Sequence, residues 1–303
     1  MRTTVTFPSN DFTIAGVLFT PNGPVPDERL PGVVVSHPGG GVKEQTASTY
    51  AERLARQGFA ALVFDAARQG ESTGEPRGLE DPFQRAEDVK AAVTLLSTRV
   101  EVDPDRIGAL GLCASGGYVP YAAQTDLRVR AVATVSAADM GDAVRRGVGR
   151  TQDPAVLREA LQLAGELRTA EGRGEPVVRA PWVPDSWADA PRDSHEGETH
   201  EYYRTPRGQH PRADNLQVVR GVDLLAQFDP FARLDLLAPR PLLMVIGSEA
   251  VTGHYSREAV ERAAGPAELV VVDGATHMSL YDRDEHVTPA VARIGAFLAE
   301  HLA

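Results

Sequence analysis

The chain has 303 residues, of which 42% are hydrophobic, enough for a buried core in one large domain or two small ones. Its 31 Lys and Arg residues are outnumbered by 42 Asp and Glu residues, and the formal net charge of −11 argues against nucleic acid or an anionic membrane surface as a partner. One cysteine cannot form an intramolecular disulfide, no apolar run approaches the roughly 18 residues of a membrane span, and the N-terminus lacks a signal-like segment, so we expect a cytoplasmic protein.

Short apolar and β-branched runs alternate with helix-like stretches along most of the chain. This alternation predicts a mostly parallel sheet with helices on both faces. Apolar spacing predicts amphipathic helices over residues 46–56, 81–97, 115–125, 257–264 and 289–301. Eight strands are predicted, over residues 3–7, 13–19, 32–36, 60–64, 107–112, 131–136, 242–246 and 269–272.

The alternation breaks between about residues 141 and 234. This segment first has the pattern of a helix over residues 154–169 and then becomes rich in Pro, Arg, Trp and Tyr. Because a disordered segment would be poorer in aromatic residues, we predict an ordered cap (141–234) inserted after the sixth strand, with residues 1–140 and 235–303 forming the core. The candidate substrate contacts are Trp182, Trp187 and Tyr202 from the cap and His254 from a loop of the core.

Cys113, the single cysteine, lies in the sequence Gly-Leu-Cys-Ala-Ser-Gly-Gly of residues 111–117, directly after the apolar run of residues 107–110. A lone cysteine is more often a small buried hydrophobe than a catalyst. The flanking glycines favour catalysis here, because glycine permits the close backbone approach of a strand that turns sharply into a helix, with the nucleophile at the apex. We therefore interpret Cys113 as the nucleophile. The competing candidate, Ser115, falls in the first turn of the helix.

Four stretches resemble the α/β-hydrolase superfamily, and more closely its cysteine-nucleophile branch, which is typified by dienelactone hydrolases and includes acyl hydrolases and polyketide transferases. They are HPGGGVKEQ at residues 37–45, DAARQGES at 65–72, GLCASGG at 111–117 and GATH at 274–277. The resemblance extends over nearly the whole chain and implies an α/β-hydrolase fold with the chain order nucleophile, acid, histidine. It is a weaker guide to the substrate, because this fold hosts many chemistries.

A cysteine needs a nearby base to become a thiolate, since its ordinary pKa of about 8.5 leaves little of it ionised at neutral pH. His277 follows the last predicted strand through residues 273–276, where the resemblance places the catalytic histidine. His37 is predicted to shape the loop after the third strand. Apart from His254, the remaining histidines are set aside on position, in the insertion (His195, His200 and His210) or at the final helix (His286 and His301).

The sequence offers several carboxylates as the acid that orients His277. The loop after the seventh strand reads Gly-Ser-Glu-Ala and contains Glu249, which is the leading candidate. Asp139, at the end of the sixth strand, is the main rival, and Asp229 and Asp282 follow. A carboxylate at this position is expected to hold the imidazole tautomer and to stabilise the imidazolium that accompanies the thiolate.

An oxyanion hole is expected from backbone N–H groups at two places. One is Ala114, directly after the nucleophile, and the other is Gly39 or Gly40 in the loop after the third strand, where Pro38 has no N–H to donate. A glycine-rich loop can also cradle phosphate, but the Lys-Ser/Thr pair of nucleotide-binding loops is missing. No cluster of His, Cys and Asp residues has zinc-ligand spacing, so the sequence predicts neither a metal nor a cofactor.

These residues predict an acyl hydrolase for a small-molecule ester, lactone or thioester. The Cys113 thiolate would attack the carbonyl carbon, and water activated by His277 would hydrolyse the resulting thioester. If the cap admits an alcohol instead of water, the same intermediate predicts an acyltransferase. A non-catalytic ligand-binding protein on the same fold is the third alternative. The sequence leaves open whether the protein is a monomer or a homodimer.

Overall fold

The central feature of the fold is a large sheet, seen in a computed structural model that describes residues 1–23 and 28–303. The strands in this part of the chain are β1 (Arg2–Ser9), β2 (Phe12–Phe19), β3 (Leu30–Ser36), β4 (Ala60–Phe64), β5 (Val102–Leu112), β6 (Val129–Val135), β7 (Arg179–Pro181), β8 (Leu216–Val218), β9 (Leu242–Gly247) and β10 (Ala267–Val272). Eight of these form one sheet in the order β1-β2-β4-β3-β5-β6-β9-β10. Strand β2 pairs antiparallel with β1 and β4, and the other neighbouring strands run parallel. The predicted eight-stranded, mostly parallel sheet is confirmed.

The helices of the described residues are α1 (Thr46–Arg56), α2 (Pro82–Thr98), α3 (Ser115–Thr125), α4 (Met140–Arg146), α5 (Pro154–Gly172), α6 (His195–Arg204), α7 (Val222–Ala226), α8 (Gly253–Arg262), α9 (Ser279–Asp282) and α10 (Asp284–His301). Asp81 caps α2 by accepting from the backbone N–H groups of Phe83 and Gln84. Helix α10 begins five residues before the predicted Pro289, and its first turn carries Asp284 and Glu285, which favour an N-terminus. Among these helices none is long and apolar enough to cross a membrane.

The core lies on both faces of the sheet, because the central parallel strands are buried on both sides. Along β3, Val34 packs on one face in the same cluster as residues of α2, α3 and α8. Its neighbours Val33 and Val35 belong to the opposite cluster, which includes residues of α1 and α10. This alternation follows from the two-residue period of a strand. The carboxyl ends of the parallel strands thereby emerge together at one edge, where the functional loops begin.

The insertion folds into regular structure that packs on the core. Helix α5 confirms the helix expected near residues 154–169, and β7 pairs antiparallel with β8. The backbone N–H of Val218 donates to the carbonyl of Gly78, and the indole of Trp182 lies against Gly39. The insertion therefore touches the loop that carries a predicted oxyanion donor. The division into a core (1–140 and 235–303) and a cap (141–234) stays a prediction.

Candidate active site

Cys113 occupies a strained turn between β5 and α3. Its φ of 54° lies in the left-handed region, which a non-glycine residue occupies at a cost of order 1 kcal/mol or more. The turn is held by bonds from the Cys113 N–H to the Val135 carbonyl (3.0 Å) and from the Ala138 N–H to the Cys113 carbonyl (2.9 Å). A Cβ on Gly111 would come within 2.0 Å of the Ser115 carbonyl oxygen, so only glycine fits there. This is the geometry expected of a nucleophile at the apex of such a turn.

Two backbone N–H groups converge on the Cys113 thiol. They belong to Ala114 and Gly39, and both lower the pKa of the thiol by hydrogen bonding. The acyl oxygen of an intermediate bonded to this sulfur would lie close to the same donors, as an oxyanion hole requires. Gly40, the other candidate donor, has a φ of 65° and forms part of the turn that brings Gly39 to the thiol.

The Cys113 side chain is half-buried, and its thiol is neutral in the resting site. Burial raises the pKa of the thiol, and the negative charge of the nearby buried Glu80 raises it further. A hydrogen bond with the Tyr281 hydroxyl opposes this shift. The thiol also packs against an apolar and aromatic cluster that includes Val183 and Met278. A neutral thiol in such surroundings needs a proton acceptor before it can attack a carbonyl.

His277 lies after β10, as predicted, and both of its ring nitrogens are engaged. Nδ1 lies 2.6 Å from the Thr252 hydroxyl, and Nε2 lies 3.2 Å from the Tyr281 hydroxyl. Burial holds the pKa of His277 well below its usual value, and the charge of His195 lowers it further. The ring is therefore neutral near pH 7. Because Tyr281 is also a partner of the Cys113 thiol, the tyrosine hydroxyl connects the sulfur to the histidine.

The structure does not pair the leading acid candidate with His277. The Glu249 side chain is exposed, and its carboxylate accepts from the Ser248 hydroxyl at 3.1 Å. The loop after β9 instead brings Thr252 to Nδ1, three residues further along the chain. Within the described residues, the acid–imidazole pair expected from Glu249 is therefore replaced by a threonine–imidazole pair. Glu249 nevertheless lines the same cavity as His277.

The other carboxylate candidates are engaged elsewhere. Asp139 caps α4 by accepting from the Asp142 N–H at 2.8 Å, and burial raises the pKa of Asp139 to about 6. Asp229 accepts from the backbone N–H of Phe231 at 3.1 Å. Asp282 pairs with the guanidinium of Arg207. Two of these carboxylates accept from backbone N–H groups and the third pairs with an arginine. None of the three is bonded to the His277 ring.

Ser115 and His37 serve the structure of the elbow. The Ser115 hydroxyl donates to the His37 carbonyl at 2.6 Å and lies 2.8 Å from the Ser36 hydroxyl. Nε2 of His37 accepts from the backbone N–H of Ala66, so Nδ1 carries the hydrogen and donates to the Pro38 carbonyl at 2.7 Å. A buried hydroxyl with these fixed partners is poorly suited to attack a substrate, and His37 shapes the loop as expected.

Two of the four predicted substrate contacts lie close to the thiol. The indole of Trp182 lies over the oxyanion loop, where a Cβ on Gly39 would come within 2.9 Å of it. The ring of Tyr202 packs edge-on against those of Tyr203 and Tyr281, with centroids 4.8 and 5.1 Å apart. These rings, with the residues that contact the thiol directly, form an aromatic and apolar enclosure around Cys113.

The other two predicted contacts pack on different neighbours. The Trp187 ring lies edge-on to His200, and the guanidinium of Arg192 lies 3.8 Å from the Trp187 ring centroid. His254 hydrogen-bonds the Val251 carbonyl at 3.0 Å and stacks on the ring of Tyr255 at 3.9 Å. Aromatic composition identified the right segment of the cap but could not separate residues near the thiol from residues that pack within the cap.

Three residues at the site had no motif to reveal them: Thr252, Tyr281 and His195. The closest signal was the spacing of Tyr281, four residues after His277, which places two side chains on one side of a helical turn. The sequence analysis set His195 aside because of its place in the insertion, and the structure corrects this. The His195 ring lies edge-on to that of His277, with centroids 5.1 Å apart.

Two cavities lie on different sides of this centre. One of about 510 Å³ is lined by His277, His195, Glu249 and Thr276, among others, and so lies on the histidine side. A second of about 60 Å³ lies on the oxyanion-loop side, beside Gly40. It is further lined by Trp182 and by the arginines Arg68, Arg77, Arg179 and Arg212.

A cluster of three carboxylates beside the site is neutralised by a lysine. Oxygens of Glu44, Asp65 and Glu71 lie within 4.8 Å of one another, the spacing a metal ion would need. The buried Lys43 ammonium is 2.9, 2.7 and 2.6 Å from these three groups and stands where a cation would bind. The three carboxylates therefore form ion pairs with Lys43, and these ion pairs stabilise the loop that follows β4.

Comparisons with known proteins agree with the fold. A protein-family model described as "Dienelactone hydrolase family" matches residues 14–137. The chain is 36% identical over 297 residues to the uncharacterized protein YcjY of Escherichia coli K12, with 97% of each chain covered. It is similar to the crystal structure of the hypothetical protein PA2218 from Pseudomonas aeruginosa, with a TM-score of 0.93 and 33% identity over 99% of this chain and 94% of that chain.

Two more distant fungal relatives carry names that describe activities. The chain is 25% identical over 274 residues to the acyltransferase drtE of Aspergillus calidoustus, which covers 86% of this chain and 84% of the relative. It is 27% identical over 241 residues to the thiohydrolase apmlB of Arthrinium phaeospermum, covering 80% of this chain and 68% of the relative.

The sheet order, the elbow between β5 and α3 and the histidine after β10 define an α/β-hydrolase, and solved enzymes of this class share the fold. The class catalyses hydrolysis or acyl transfer. The near full-length match to YcjY, together with the family model, shows more specifically that the chain belongs to the dienelactone hydrolase family.

Proposed function

We propose that the protein is an acyl hydrolase that cleaves a small-molecule ester, lactone or thioester through a thioester acyl-enzyme on Cys113. The observation that carries the proposal is the set of groups around this thiol. The N–H groups of Ala114 and Gly39 and the hydroxyl of Tyr281 all act on the sulfur, which stands at the apex of the turn. A merely structural cysteine has no need of two oxyanion donors and a hydroxyl that contacts a buried histidine.

Acylation begins with a proton shift along the contacts of Tyr281. Before the shift the thiol donates to the Tyr281 oxygen and the Tyr281 O–H donates to Nε2 of His277. The thiol proton then passes to the Tyr281 oxygen as the Tyr281 proton passes to Nε2 of His277. The tyrosine stays neutral, the sulfur becomes a thiolate and the imidazole becomes an imidazolium. After the shift the Tyr281 O–H donates to the thiolate, and this bond to the charged form is the one that lowers the pKa of Cys113. Burial raises the pKa of Tyr281 well above its usual value, which keeps this hydroxyl protonated throughout.

The thiolate attacks the carbonyl carbon, and the developing oxyanion accepts from the Ala114 and Gly39 N–H groups. When the tetrahedral intermediate collapses, the leaving alkoxide or thiolate takes the proton from the His277 imidazolium. Nδ1–H of this ring donates to the Thr252 hydroxyl, which holds the tautomer that has Nε2 as the acceptor. A thioester on Cys113 remains.

The acyl group then passes to water, or to an alcohol in the second candidate function. The name of the thiohydrolase apmlB supports hydrolysis, and that of the acyltransferase drtE supports transfer. The two reactions share every residue up to the acyl-enzyme and differ only in the second nucleophile. The apolar and aromatic enclosure of Cys113 supports a hydrophobic or cyclic acyl group. A cytoplasmic location, and the choice between monomer and homodimer, stay predictions.

The test is intact-protein mass spectrometry after incubation with 4-nitrophenyl acetate, followed by peptide mapping. We expect one acetyl group on Cys113, with no adduct and no turnover in Cys113→Ala. The competing nucleophile is tested by Ser115→Ala, which is expected to keep the acetyl group on Cys113. Turnover that survives Cys113→Ala but is lost in Ser115→Ala would overturn the proposal, as would ligand binding without any adduct.

A further inference from the structure

The guanidinium of Arg85 is a buried charge that has no part in the proton transfers described above. Arg85 lies near the N-terminus of α2, and its side chain is only 3% exposed. Nε lies 3.5 Å from the carboxylate of the equally buried Glu80, and the guanidinium lies 5.1 Å from the ring centroid of Tyr118. Burial of a cation costs free energy unless the cation is paired and hydrogen-bonded. The acceptors of this guanidinium therefore indicate why it is kept inside the protein.

One nitrogen of this guanidinium connects the two segments that carry the oxyanion donors. Nη2 donates to the His37 carbonyl at 2.6 Å and to the Ser115 hydroxyl at 3.0 Å. His37 lies two residues before Gly39, and Ser115 directly follows Ala114. The side chain of Arg85 therefore joins the loop after β3 to the elbow between β5 and α3, at points next to the two N–H groups that act on the thiol.

Further hydrogen bonds fix the same loop and the same elbow. Nη1 of Arg85 lies 3.1 Å from Nε2 of His37, the nitrogen that also accepts from the Ala66 N–H. The Ser115 hydroxyl donates to the His37 carbonyl at 2.6 Å, so this carbonyl accepts from both Ser115 and Arg85. The planar fork of an arginine holds several acceptors in fixed directions, which the ammonium of a lysine does not. The relative position of loop and elbow thus depends on the shape of this side chain as well as on its charge.

Building on the proposed function, we infer that Arg85 is a positioning residue of the oxyanion hole, which sets the separation of the Gly39 and Ala114 N–H groups by holding their neighbours His37 and Ser115. The two donors come from segments far apart in the chain, and an oxyanion gains from both only when both point at the position that it will occupy. A displacement of about 1 Å at such a site is enough to slow a reaction greatly. Loss of the guanidinium therefore slows acyl transfer and leaves the nucleophile in place.

The experiment compares two reactions of the same thiol in Arg85→Lys. The burst of 4-nitrophenolate from 4-nitrophenyl acetate passes through an oxyanion, whereas alkylation by iodoacetamide is a displacement at a saturated carbon and forms none. Lysine keeps the positive charge near Glu80 but does not hold both acceptors in the same directions. We expect the rate constant of the burst to fall by about tenfold or more. The alkylation of Cys113 should stay within about twofold of the native rate, with an unchanged pH profile.

The matched control is Arg240→Lys. Nη1 of Arg240 also bridges two backbone carbonyls, those of Asp126 and Val129, each at 3.0 Å. These groups lie at the amino ends of β6 and β9, opposite the edge of the sheet where the functional loops begin. We expect the burst and the alkylation rate to be unchanged in this variant, which measures what the loss of a bridging guanidinium does to the fold alone.

A double-variant cycle tests whether Arg85 acts through the oxyanion loop. Gly39→Ala displaces the loop donor itself, so little remains in that background for Arg85 to position. We therefore expect Arg85→Lys to slow the burst by less than about threefold when Gly39→Ala is already present. An equal loss in both backgrounds would mean that the two residues act independently, and would overturn the inference.

The remaining outcomes distinguish this inference from the proposed function on which it rests. A burst at the native rate in Arg85→Lys removes the role of Arg85 and leaves the acyl-enzyme intact. No acetyl group on Cys113 in the native protein overturns both. If Arg85→Lys lowers the thermal unfolding midpoint further than Arg240→Lys does, Arg85→Gln is measured as a second variant. Alkylation that slows as much as the burst in both variants of Arg85 also overturns the inference, because the guanidinium would then support the thiol or the fold instead.

Discussion

The Tyr281 hydroxyl lies 3.2 Å from Nε2 of His277, and the same hydroxyl lowers the pKa of the Cys113 thiol. A phenol between the two groups can pass a proton in either direction without becoming charged, because burial raises its pKa well above the usual value. The thiol and the imidazole are therefore linked although each is held in the neutral form by its surroundings.

This link makes Tyr281→Phe a sharp test of the acylation step. Removal of the hydroxyl breaks the proton path and deletes a hydrogen bond that lowers the pKa of the Cys113 thiol. We expect the burst with 4-nitrophenyl acetate to slow by about tenfold or more, the equivalent of at least about 1.4 kcal/mol in the barrier. The pH profile of Cys113 alkylation by iodoacetamide should move to higher pH.

The matched control is Tyr255→Phe, which removes a buried hydroxyl that has no partner in the described part of the chain and lies outside the site. We expect no change in the burst or in the alkylation profile. An unchanged alkylation profile in Tyr281→Phe would contradict the assigned contact with the thiol.

The partner of Nδ1 is tested by comparing Thr252→Val with Glu249→Gln. Thr252→Val keeps the shape of the side chain and removes the hydroxyl 2.6 Å from the ring, so the imidazole loses its fixed tautomer. We expect kcat/KM to fall by about tenfold. Glu249→Gln should stay within about threefold of the native value because this carboxylate bonds Ser248 instead. A larger loss in Glu249→Gln would restore the carboxylate as the orienting group.

The oxyanion donor is tested at Gly39. A Cβ on this residue would come within 2.9 Å of the Trp182 indole, so Gly39→Ala must displace either the cap or the backbone N–H. We expect kcat to fall by about 10²-fold, as for other losses of one oxyanion donor. In the double variant with Trp182→Ala, removal of the indole should recover part of this loss. The control is Gly165→Ala in α5, where a Cβ would meet no described atom within 4 Å. Full activity in Gly39→Ala would remove this residue from the oxyanion hole.

The buried histidines predict how stability depends on pH. The pKa values of His37, His195 and His277 lie below the ordinary value of 6.5, with burial as the largest cause. The unfolded chain therefore binds more protons than the folded chain as the pH falls below about 6.5, and the free energy of unfolding decreases in that direction. Asp139 acts in the opposite sense: its pKa is raised from 3.8 to about 6, so its contribution is present at low pH and is lost as the pH rises through about 6.

His254 also has a lowered pKa, and Asp65 and Asp88 have raised pKa values like Asp139. With four histidines against three aspartates, and with the ordinary pKa of histidine inside the range tested, we expect urea unfolding to give a lower free energy at pH 5.5 than at pH 7.5. His195→Gln should reduce this difference, whereas His210→Gln should not. A free energy of unfolding that is equal at the two pH values in the native protein would contradict the neutral state of the buried rings.

The parts of the site that the sequence predicts are those with a local physical requirement. The turn at Cys113 needs glycine at 111, and the buried strands need continuous apolar runs, so both leave a signature in adjacent residues. The partners of His277 have no such signature. Thr252 and Tyr281 are ordinary loop and helix residues until folding brings them to the ring, and Glu249 satisfied the expected chain order without reaching it.

His195 shows the same limit over a longer range. It lies in an insertion whose path over the core depends on contacts such as those of Trp182 with Gly39 and Gly40. No sequence pattern within residues 141–234 predicts which side chain will contact His277. Composition predicted that the insertion is ordered. Only the three-dimensional packing assigns one of its histidines to the cavity.

The single cysteine has a practical consequence for anyone who prepares this enzyme. Cys113 is the chain's one thiol. A chromogenic disulfide reagent applied to the native protein therefore counts the molecules in which this thiol is accessible, and the same reagent applied to the denatured protein counts all molecules. The ratio measures how accessible this thiol is before denaturation in each batch, without any substitution. A second thiol engineered on the exposed surface of α5 would give that ratio an internal standard.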